Sequence, residues 1–168
     1  MPTVTNLYIG CPEDGAPSLP KLSVSDVELY SGGCKGDFNF FRFNNYRNVC
    51  EKKGKPYDPE NRAVLIMSLD VLAKLNEEDW PVKPGDLGEN LTVDGKYSFF
   101  NKGEIYRAGS AVIELTYQAT PCQKLAQLSY VGEDKVAKFI STVTNRRGWY
   151  AKVIEPGSIK VGDKLILL

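Results

Sequence analysis

Short strand-like segments, separated by glycine and proline, run along almost the whole chain of 168 residues. The clearest is AVIELTYQ, in which Ile113, Leu115 and Tyr117 alternate with the polar Glu114 and Thr116. That period of two is typical of a strand with one face toward a core. The predicted strands are Val4–Ile9, Leu22–Tyr30, Phe38–Phe43, Glu89–Val93, Ala111–Tyr117, Tyr150–Ile154 and Lys164–Leu168. Because strands and helices do not alternate regularly, we expect a mainly β fold, a closed or partly open β-barrel with a few short helices.

Two segments instead carry apolar residues at helical spacing. SLDVLAKLNEEDW places Leu69, Leu72 and Leu75 three apart behind Ser68, a residue suited to an N-cap. GEDKVAKFISTV has the same character. Both are predicted to be packing helices.

Two glycine-aspartate pairs, Gly85-Asp86 and Gly162-Asp163, are suited to turns that join or enter strands. Their likeness indicates shared turn chemistry and not a repeat. The charged, proline-containing stretch Glu51–Asn61 is expected to be an exposed loop.

The bulk composition fits one domain, residues 1–168, with 42% hydrophobic and 25% charged residues. Lysine plus arginine equals aspartate plus glutamate at 21 each, so no nucleic-acid partner is expected. No apolar run approaches the ~20 residues that cross a bilayer, and no export signal is evident. We therefore expect a cytoplasmic protein with no membrane partner.

The chain contains no histidine, which excludes Ser-His and Cys-His pairs and imidazole metal ligands within it. The remaining chemistry is that of a thiolate, carboxylates, lysines, tyrosines or a cofactor with its own reactivity. The four cysteines lack CxxC spacing, so neither disulfides nor a zinc ribbon is predicted.

Cys122, in ATPCQKLAQL, is the strongest candidate for a reactive group. It follows the clearest strand at the apparent start of a helical turn, where N–H groups and Lys124 favour a thiolate. A buried structural cysteine is the alternative. Cys34, beside Lys35, is the second choice.

Two other polar features have plain alternatives. Arg146 and Arg147 are suited to gripping phosphate or carboxylate, but a solvated arginine pair is the more frequent explanation. Ser68 ends an apolar run, where it either caps a helix or holds an anion.

Several ordered motifs together resemble the MOSC family, found at the C-terminus of molybdenum-cofactor sulfurases and in stand-alone proteins. The motifs are PKL, CKGDFN, NRAVLIMSLDVLAKLN, PGDLGENLTVDG, GSAVIELTYQATPCQKL and GWYAKVIEPGSIKVGDKL. The resemblance implies a β-barrel that binds the molybdenum cofactor, a pterin dithiolene carrying a phosphate. It also implies a cysteine that serves as molybdenum ligand or sulfur carrier.

The resemblance makes Cys122, in the Pro-Cys motif, the catalytic residue and the metal ligand. Asn90, Arg62 and Ser68 fall on polar positions of the family motifs. The predicted cofactor-binding residues are Lys35, Asp37, Arg62, Ser68, Glu89, Asn90, Thr120, Lys124, Arg146 and Arg147. On this hypothesis the polar loop around Glu89 lines the cofactor cleft. Alternatively, Asn90 and Asp86 only satisfy backbone groups of the turn.

The chain departs from its relatives at three points. Histidines that many relatives have near Asp37 and Arg62 are missing, and Leu125 stands where the reductase branch has a second cysteine. The pyridoxal-phosphate desulfurase domain of full sulfurases is also missing, so no pyridoxal phosphate is expected. Any carried sulfur would then come from another protein.

Two functions follow from the resemblance. The first is a molybdenum-dependent reductase of small N-hydroxylated or N-oxidised compounds, supplied with electrons by a separate donor protein. The second is a carrier that delivers the cofactor, or a persulfide on Cys122, to a client molybdoenzyme. A barrel that has lost its cofactor and acts through protein contacts is a third reading.

Overall fold

The computed structural model describes residues 1–10, 15–37, 40 and 58–168. Within them the strands are β1 Val4–Ile9, β2 Leu22–Val24, β3 Asp26–Tyr30, β4 Gly33–Cys34, β5 Val64–Ser68, β6 Leu91–Val93, β7 Ile105–Ala108, β8 Ala111–Gln118, β9 Trp149–Glu155, β10 Gly157–Lys160 and β11 Leu165–Leu167. The α-helices are α1 Leu69–Glu77 and α2 Gly132–Val143, and 3₁₀ turns lie at Glu60–Arg62, Tyr97–Phe99 and Gln123–Gln127. None of the described helices has the length and apolar character needed to cross a bilayer.

The described strands form two sheets. The larger has eight strands in the order β11-β7-β8-β9-β5-β6-β1-β2, and the smaller has the order β10-β3-β4. All pairs are antiparallel except β5 with β6. That parallel pair forms because the chain crosses over through α1 between the two strands.

The larger sheet curls until its far strands meet. The Val4 N–H donates to Asp163 O and the Leu165 N–H donates to Pro2 O, both at 2.8 Å, so the start of β1 lies beside the start of β11. β2 stays outside this contact. The result is a partly open β-barrel, which confirms the predicted fold class.

Two apolar clusters lie on either side of the sheet. One is enclosed by the strands and includes Ile66, and the other packs α1 and α2 against the sheet and includes Met67 and Phe139. Strand β5 is buried at all five positions because it has a cluster on each face. This explains why its sequence, VLIMS, is almost continuously apolar.

The sequence located β1, β8, β9 and both helices closely, because each has a regular apolar face. The predicted strand Leu22–Tyr30 is two strands, since the chain passes at Ser25 from the larger sheet to the smaller. Strands β4, β7 and β10 were not predicted, because they have only two to four residues each. Strand β5 was noted only as an apolar run, because it is buried on both faces and shows no alternation. The predicted strand Phe38–Phe43 and most of the predicted loop Glu51–Asn61 lie outside the described residues.

The two glycine-aspartate turns share one hydrogen-bond pattern, as predicted. Asp86 Oδ2 accepts from the Lys83 N–H and Asp163 Oδ2 accepts from the Lys160 N–H, each at 2.9 Å. Gly85 and Gly162 both have a φ of +94°, which is unfavourable for residues with a Cβ. The likeness therefore comes from turn geometry.

Gly148 lets strands β5 and β9 approach closely. Its φ is +99°, and a Cβ there would lie 2.5 Å from Ile66 O. Gly162 has a similar φ of +94° but open space around it. We expect Gly162→Ala to cost about 1–2 kcal/mol through φ alone. Gly148→Ala should lower the free energy of unfolding by about 1–3 kcal/mol more than Gly162→Ala does, because the backbone of β5 at Ile66 must also move.

Urea denaturation of both variants measures this difference. Equal free energies of unfolding for the two variants would contradict the close approach of the strands.

Candidate functional site

Cys122 lies exposed just beyond the end of β8. The pairing of β8 with β9 is irregular between Leu115 and Gln118, and the Ala119 N–H then donates to Gly148 O at 2.9 Å. Cys122 itself precedes the Gln123–Gln127 turn, and its carbonyl accepts from the N–H of the fully buried Leu125 at 3.1 Å. The alternative of a buried structural cysteine is therefore wrong. The helical turn is a five-residue 3₁₀ segment.

Arg147 is buried, and its bonds within the described part of the chain all go to backbone carbonyls. Its Nη1 donates to Thr120 O at 2.7 Å, while Nε and Nη2 donate to Leu87 O at 3.2 and 3.1 Å. Its residue exposure is 7%, and no carboxylate of the described residues forms an ion pair with it. Arg147 thus joins the polar loop around Leu87 to the segment that carries Cys122.

Arg146 points away from this contact. Its guanidinium donates to both oxygens of Glu78, with Nη1 to Oε1 at 2.7 Å, and its Nε donates to Thr142 O. The hydrogen bonds of Arg146 hold the pKa of Glu78 below its ordinary value. The two adjacent arginines therefore do not form one anion grip, and the predicted contact of Arg146 with a cofactor stays a prediction.

Asn90 is buried between β1 and β5, and its side chain completes their hydrogen bonding. Its Oδ1 accepts from the Leu65 N–H at 3.2 Å, and its Nδ2 donates to Tyr8 O at 3.1 Å. Nδ2 also lies 3.0 Å from Asp37 Oδ2. Asn90 thus satisfies backbone groups of two strands, and not the groups of the turn that the alternative named.

A buried ion pair lies beside Asn90. Asp37 Oδ2 accepts from Lys21 Nζ at 2.9 Å and from the Gly10 N–H at 2.7 Å, and both side chains of the pair are almost fully buried. Hydrogen bonds of this kind offset the cost of taking charges out of water. Lys21 was missed in the sequence, where only the short PKL motif marked its neighbourhood.

Glu89 is fully buried, with one oxygen bonded and one not. Oε1 accepts from the Gly85 N–H at 2.6 Å and from Thr92 Oγ1 at 3.2 Å, and Oε2 has no partner among the described residues. Burial raises the pKa of Glu89, although the Gly85 N–H and Lys21 act in the opposite direction. Asp86, in the same loop, accepts from the Lys83 N–H and from the Tyr130 hydroxyl.

The other predicted cofactor residues lie apart from one another. The exposed Arg62 donates from Nε to the Tyr117 hydroxyl and lies over the rings of Tyr117 and Tyr150. Ser68 is buried at the start of α1, with its hydroxyl near the Asp70 carboxylate and Gly95 O and no capping bond of its own. Lys35 forms an exposed ion pair with Glu28 at 2.9 Å.

Several candidates meet in the exposed segment Thr120–Lys124. It contains Cys122, the exposed Thr120 and the exposed Lys124, and Arg147 is bonded to it. Asp37 and Asn90 meet in the buried cluster described above, and Arg62 lies on the surface against two tyrosines. Their predicted roles toward a cofactor stay predictions.

The second-choice thiol, Cys34, is unsuited to metal binding. It is buried in the apolar cluster inside the strands, and burial raises its pKa to about 12. Cys11 and Cys50 lie outside the described residues. No group of three or more Cys, Asp or Glu side chains in the described part of the chain is placed to hold a metal ion. A metal there would depend on Cys122 together with ligands from a cofactor.

Two surface clefts lie away from Cys122. One, of about 350 Å³, is lined by residues that include Asp26, Ser110 and Asp163. The other, of about 280 Å³, includes Ile9, Glu28 and Lys35. Neither contains the segment Thr120–Lys124.

The pKa of Glu89 predicts a pH dependence of stability. Because its pKa is raised in the fold, the stability from its protonated form is complete below the ordinary value of 4.5 and is lost as pH rises toward the folded pKa. Glu89→Gln removes this loss and keeps the acceptor for Gly85. We expect the free energy of unfolding of Glu89→Gln, relative to that of the wild type, to increase as pH rises above 4.5.

Urea titrations between pH 4.5 and pH 8 test this expectation, with the exposed Glu77→Gln as the matched control. A gap between Glu89→Gln and the wild type that stays constant with pH would count against a buried carboxyl of raised pKa.

Comparison with known proteins identifies the family. Residues 41–166 match the family model described as the MOSC domain. The protein YiiM of Escherichia coli strain K12 is 33% identical over 82 residues, which are 48% of this chain and 35% of that protein. The match thus spans about a third of the length of that curated relative.

Solved structures share the fold. The YUAD protein of Bacillus subtilis gives a TM-score of 0.75 at 19% identity, covering 97% of this chain and 93% of that chain. YiiM of Geobacillus stearothermophilus gives 0.71 at 19% identity, covering 100% and 75% respectively. The matched motifs, the partly open barrel and the family model agree, and the chain belongs to the MOSC domain family.

Proposed function

We propose that this chain binds the molybdenum cofactor through Cys122 and reduces small N-hydroxylated or N-oxidised compounds. The observation that carries the proposal is the exposed Cys122 thiol at the end of β8. Its segment is fixed by the Ala119–Gly148 bond and by the bond from Arg147 to Thr120 O. Family membership supports a molybdenum-related role in general.

The residues present fit the metal end of such a cofactor. A thiolate is a soft donor of the kind that transition-metal centres take up, and Cys122 is accessible from solvent. For the phosphate, the same segment offers the ammonium of Lys124 and the hydroxyl of Thr120. Of the cofactor-binding residues predicted from the sequence, we therefore assign only Thr120 and Lys124 to the phosphate.

When bound, the cofactor would supply the two-electron chemistry that removes oxygen from nitrogen. The chain's own part is to hold Cys122 in place and to leave its surroundings open to substrate. Reduction of an N–OH group to N–H takes up two electrons and two protons and releases water. Since the chain has no histidine, we propose that protons reach the exposed site from solvent. Electrons would come from a separate donor protein in the cytoplasm.

A carrier function is the second candidate. Cys122 lies on the surface, and neither described cleft includes it. A surface thiol is suited to passing a cofactor or a persulfide to a client molybdoenzyme in direct contact. The same side chain serves both candidates, so metal binding and turnover must be measured separately.

The first test measures molybdenum per chain after expression in a cell that makes the cofactor. We expect bound molybdenum in the wild type and a loss of at least about tenfold in Cys122→Ser, because a hydroxyl is a poor soft-metal ligand. Cys34→Ala, which alters a buried thiol, should keep the wild-type content. Equal molybdenum in the wild type and Cys122→Ser would remove Cys122 from the ligand role.

The second test assays reduction of an N-hydroxylated base with a reduced viologen dye as electron donor. If the chain is a reductase, the molybdenum-loaded wild type should turn over, and Cys122→Ser should lose about 10²-fold or more in kcat, the scale of a removed catalytic group. Bound molybdenum without turnover would favour the carrier.

A further inference from the structure

We infer that Arg147 is the positioning residue for Cys122, acting through the Thr120 carbonyl. The role of the Cys122 thiol in this inference rests on the proposed function. The contacts that hold Cys122 in place do not depend on it. Arg147 was a candidate phosphate ligand on sequence grounds. The hydrogen bonds described above give it a different task.

The guanidinium of Arg147 bridges two chain segments that are far apart in sequence. Nη1 donates to Thr120 O at 2.7 Å, and Nε and Nη2 donate to Leu87 O at 3.2 and 3.1 Å. The planar fork of arginine makes such a bridge with fixed geometry, whereas the single ammonium of lysine does not. The loop around Leu87 is thereby tied to the backbone two residues before Cys122.

The loop that Arg147 binds also passes close to its guanidinium at Gly88. Gly88 has a φ of +87°, and a Cβ there would lie 3.5 Å from Arg147 Nη2 and 3.2 Å from Leu19 Cδ2. The guanidinium is therefore packed against the loop backbone. A buried cation bonded only to neutral carbonyls is costly unless its hydrogen bonds are satisfied. Its position is accordingly set by these carbonyls and not by an acidic partner.

Cys122 is held from its other side by the 3₁₀ turn. The buried Leu125 anchors that turn and donates its N–H to Cys122 O at 3.1 Å. Gln127 Oε1 accepts from the Ser18 and Leu19 N–H groups at 3.0 and 3.1 Å, which ties the end of the turn to the fold. Gln123 Nε2 also donates to Glu133 Oε2 at 3.1 Å, so removing Arg147 would take away one of several contacts that hold the Cys122 segment.

The test compares Arg147→Met, Arg147→Lys and the control Arg107→Met, which alters an exposed arginine on β7. Amide hydrogen exchange of residues 119–125 is measured by peptide mass spectrometry. Arg147→Met should speed exchange there by about tenfold, corresponding to loss of one hydrogen bond to a charged group. Exchange in β1 and α2 should stay unchanged. Arg147→Lys should restore part of the protection, since its ammonium reaches one carbonyl.

A second readout separates positioning from general stability. The alkylation rates of Cys122 with anionic iodoacetate and neutral iodoacetamide are followed on the Cys122 peptide. Their ratio cancels the ionised fraction of the thiol and reports the local positive charge. We expect the ratio to fall in Arg147→Met and to stay near the wild-type value in Arg147→Lys and Arg107→Met.

Two results would overturn the inference. One is a folded Arg147→Met protein with wild-type exchange at residues 119–125. The other, decisive if Arg147→Met does not fold, is Arg147→Lys with fully wild-type exchange, since the arginine fork would then be unnecessary.

None of these measurements needs molybdenum. Absence of the metal from the wild type would defeat the proposed function and leave the positioning role standing. Bound metal with unaltered exchange in Arg147→Met would defeat the positioning role alone.

Discussion

The centre of the larger sheet depends on one carboxamide. Strand β6 has only three residues, and Asn90, just before it, extends its pairing on both sides. The Asn90 backbone bonds to Leu65 O and to the Tyr8 N–H, and its side chain bonds to the remaining Leu65 N–H and Tyr8 O. Asn90 therefore makes the hydrogen bonds to β1 and β5 that a longer β6 would otherwise make. The polar loop that precedes it, and through Leu87 the Cys122 segment, is attached to this point.

Several ionisable groups are buried around that loop, and they are stabilised in different ways. Lys21 and Asp37 neutralise each other and share hydrogen bonds with Asn90 and Gly10. The described hydrogen bonds of Arg147 all go to backbone carbonyls. Glu89 has one bonded oxygen, and burial favours its neutral form. Because burying a charge is costly, the ion pair and Arg147 are compensated by partners, whereas Glu89 is stabilised by protonation.

Much of the fold was predictable from local pattern. Strands β1 and β8 and helices α1 and α2 have apolar faces long enough to show their period. The shortest strands show no period, and their places depend on pairing between distant segments. Cys122 was singled out because a strand end, a proline and a lysine are neighbours in sequence, but only the structure decided between an exposed and a buried thiol.

The uses of the site residues were less predictable. A family motif pointed to Asn90 and the pair of adjacent arginines pointed to Arg147, but neither pointed to the carbonyl and amide groups that these side chains bind. Those partners are tens of residues away, as with the 60 residues between Arg147 and Leu87. Only the folded chain brings them together. Lys21 was missed for the same reason, since nothing near it in the sequence marks its ion pair with Asp37.

The side chains of Arg146 and Arg147 point in different directions, so dissolved salt reaches the contacts of one and not those of the other. Arg146 and Glu78 meet at the surface, where dissolved ions screen their attraction over about 8 Å at physiological ionic strength. Arg147 is shielded by protein, and its bonds to carbonyls have no such screening. Added salt should therefore weaken the Arg146–Glu78 ion pair, which joins the end of α1 to the end of α2. The bond from Arg147 to Thr120 O, which holds the Cys122 segment, should not change.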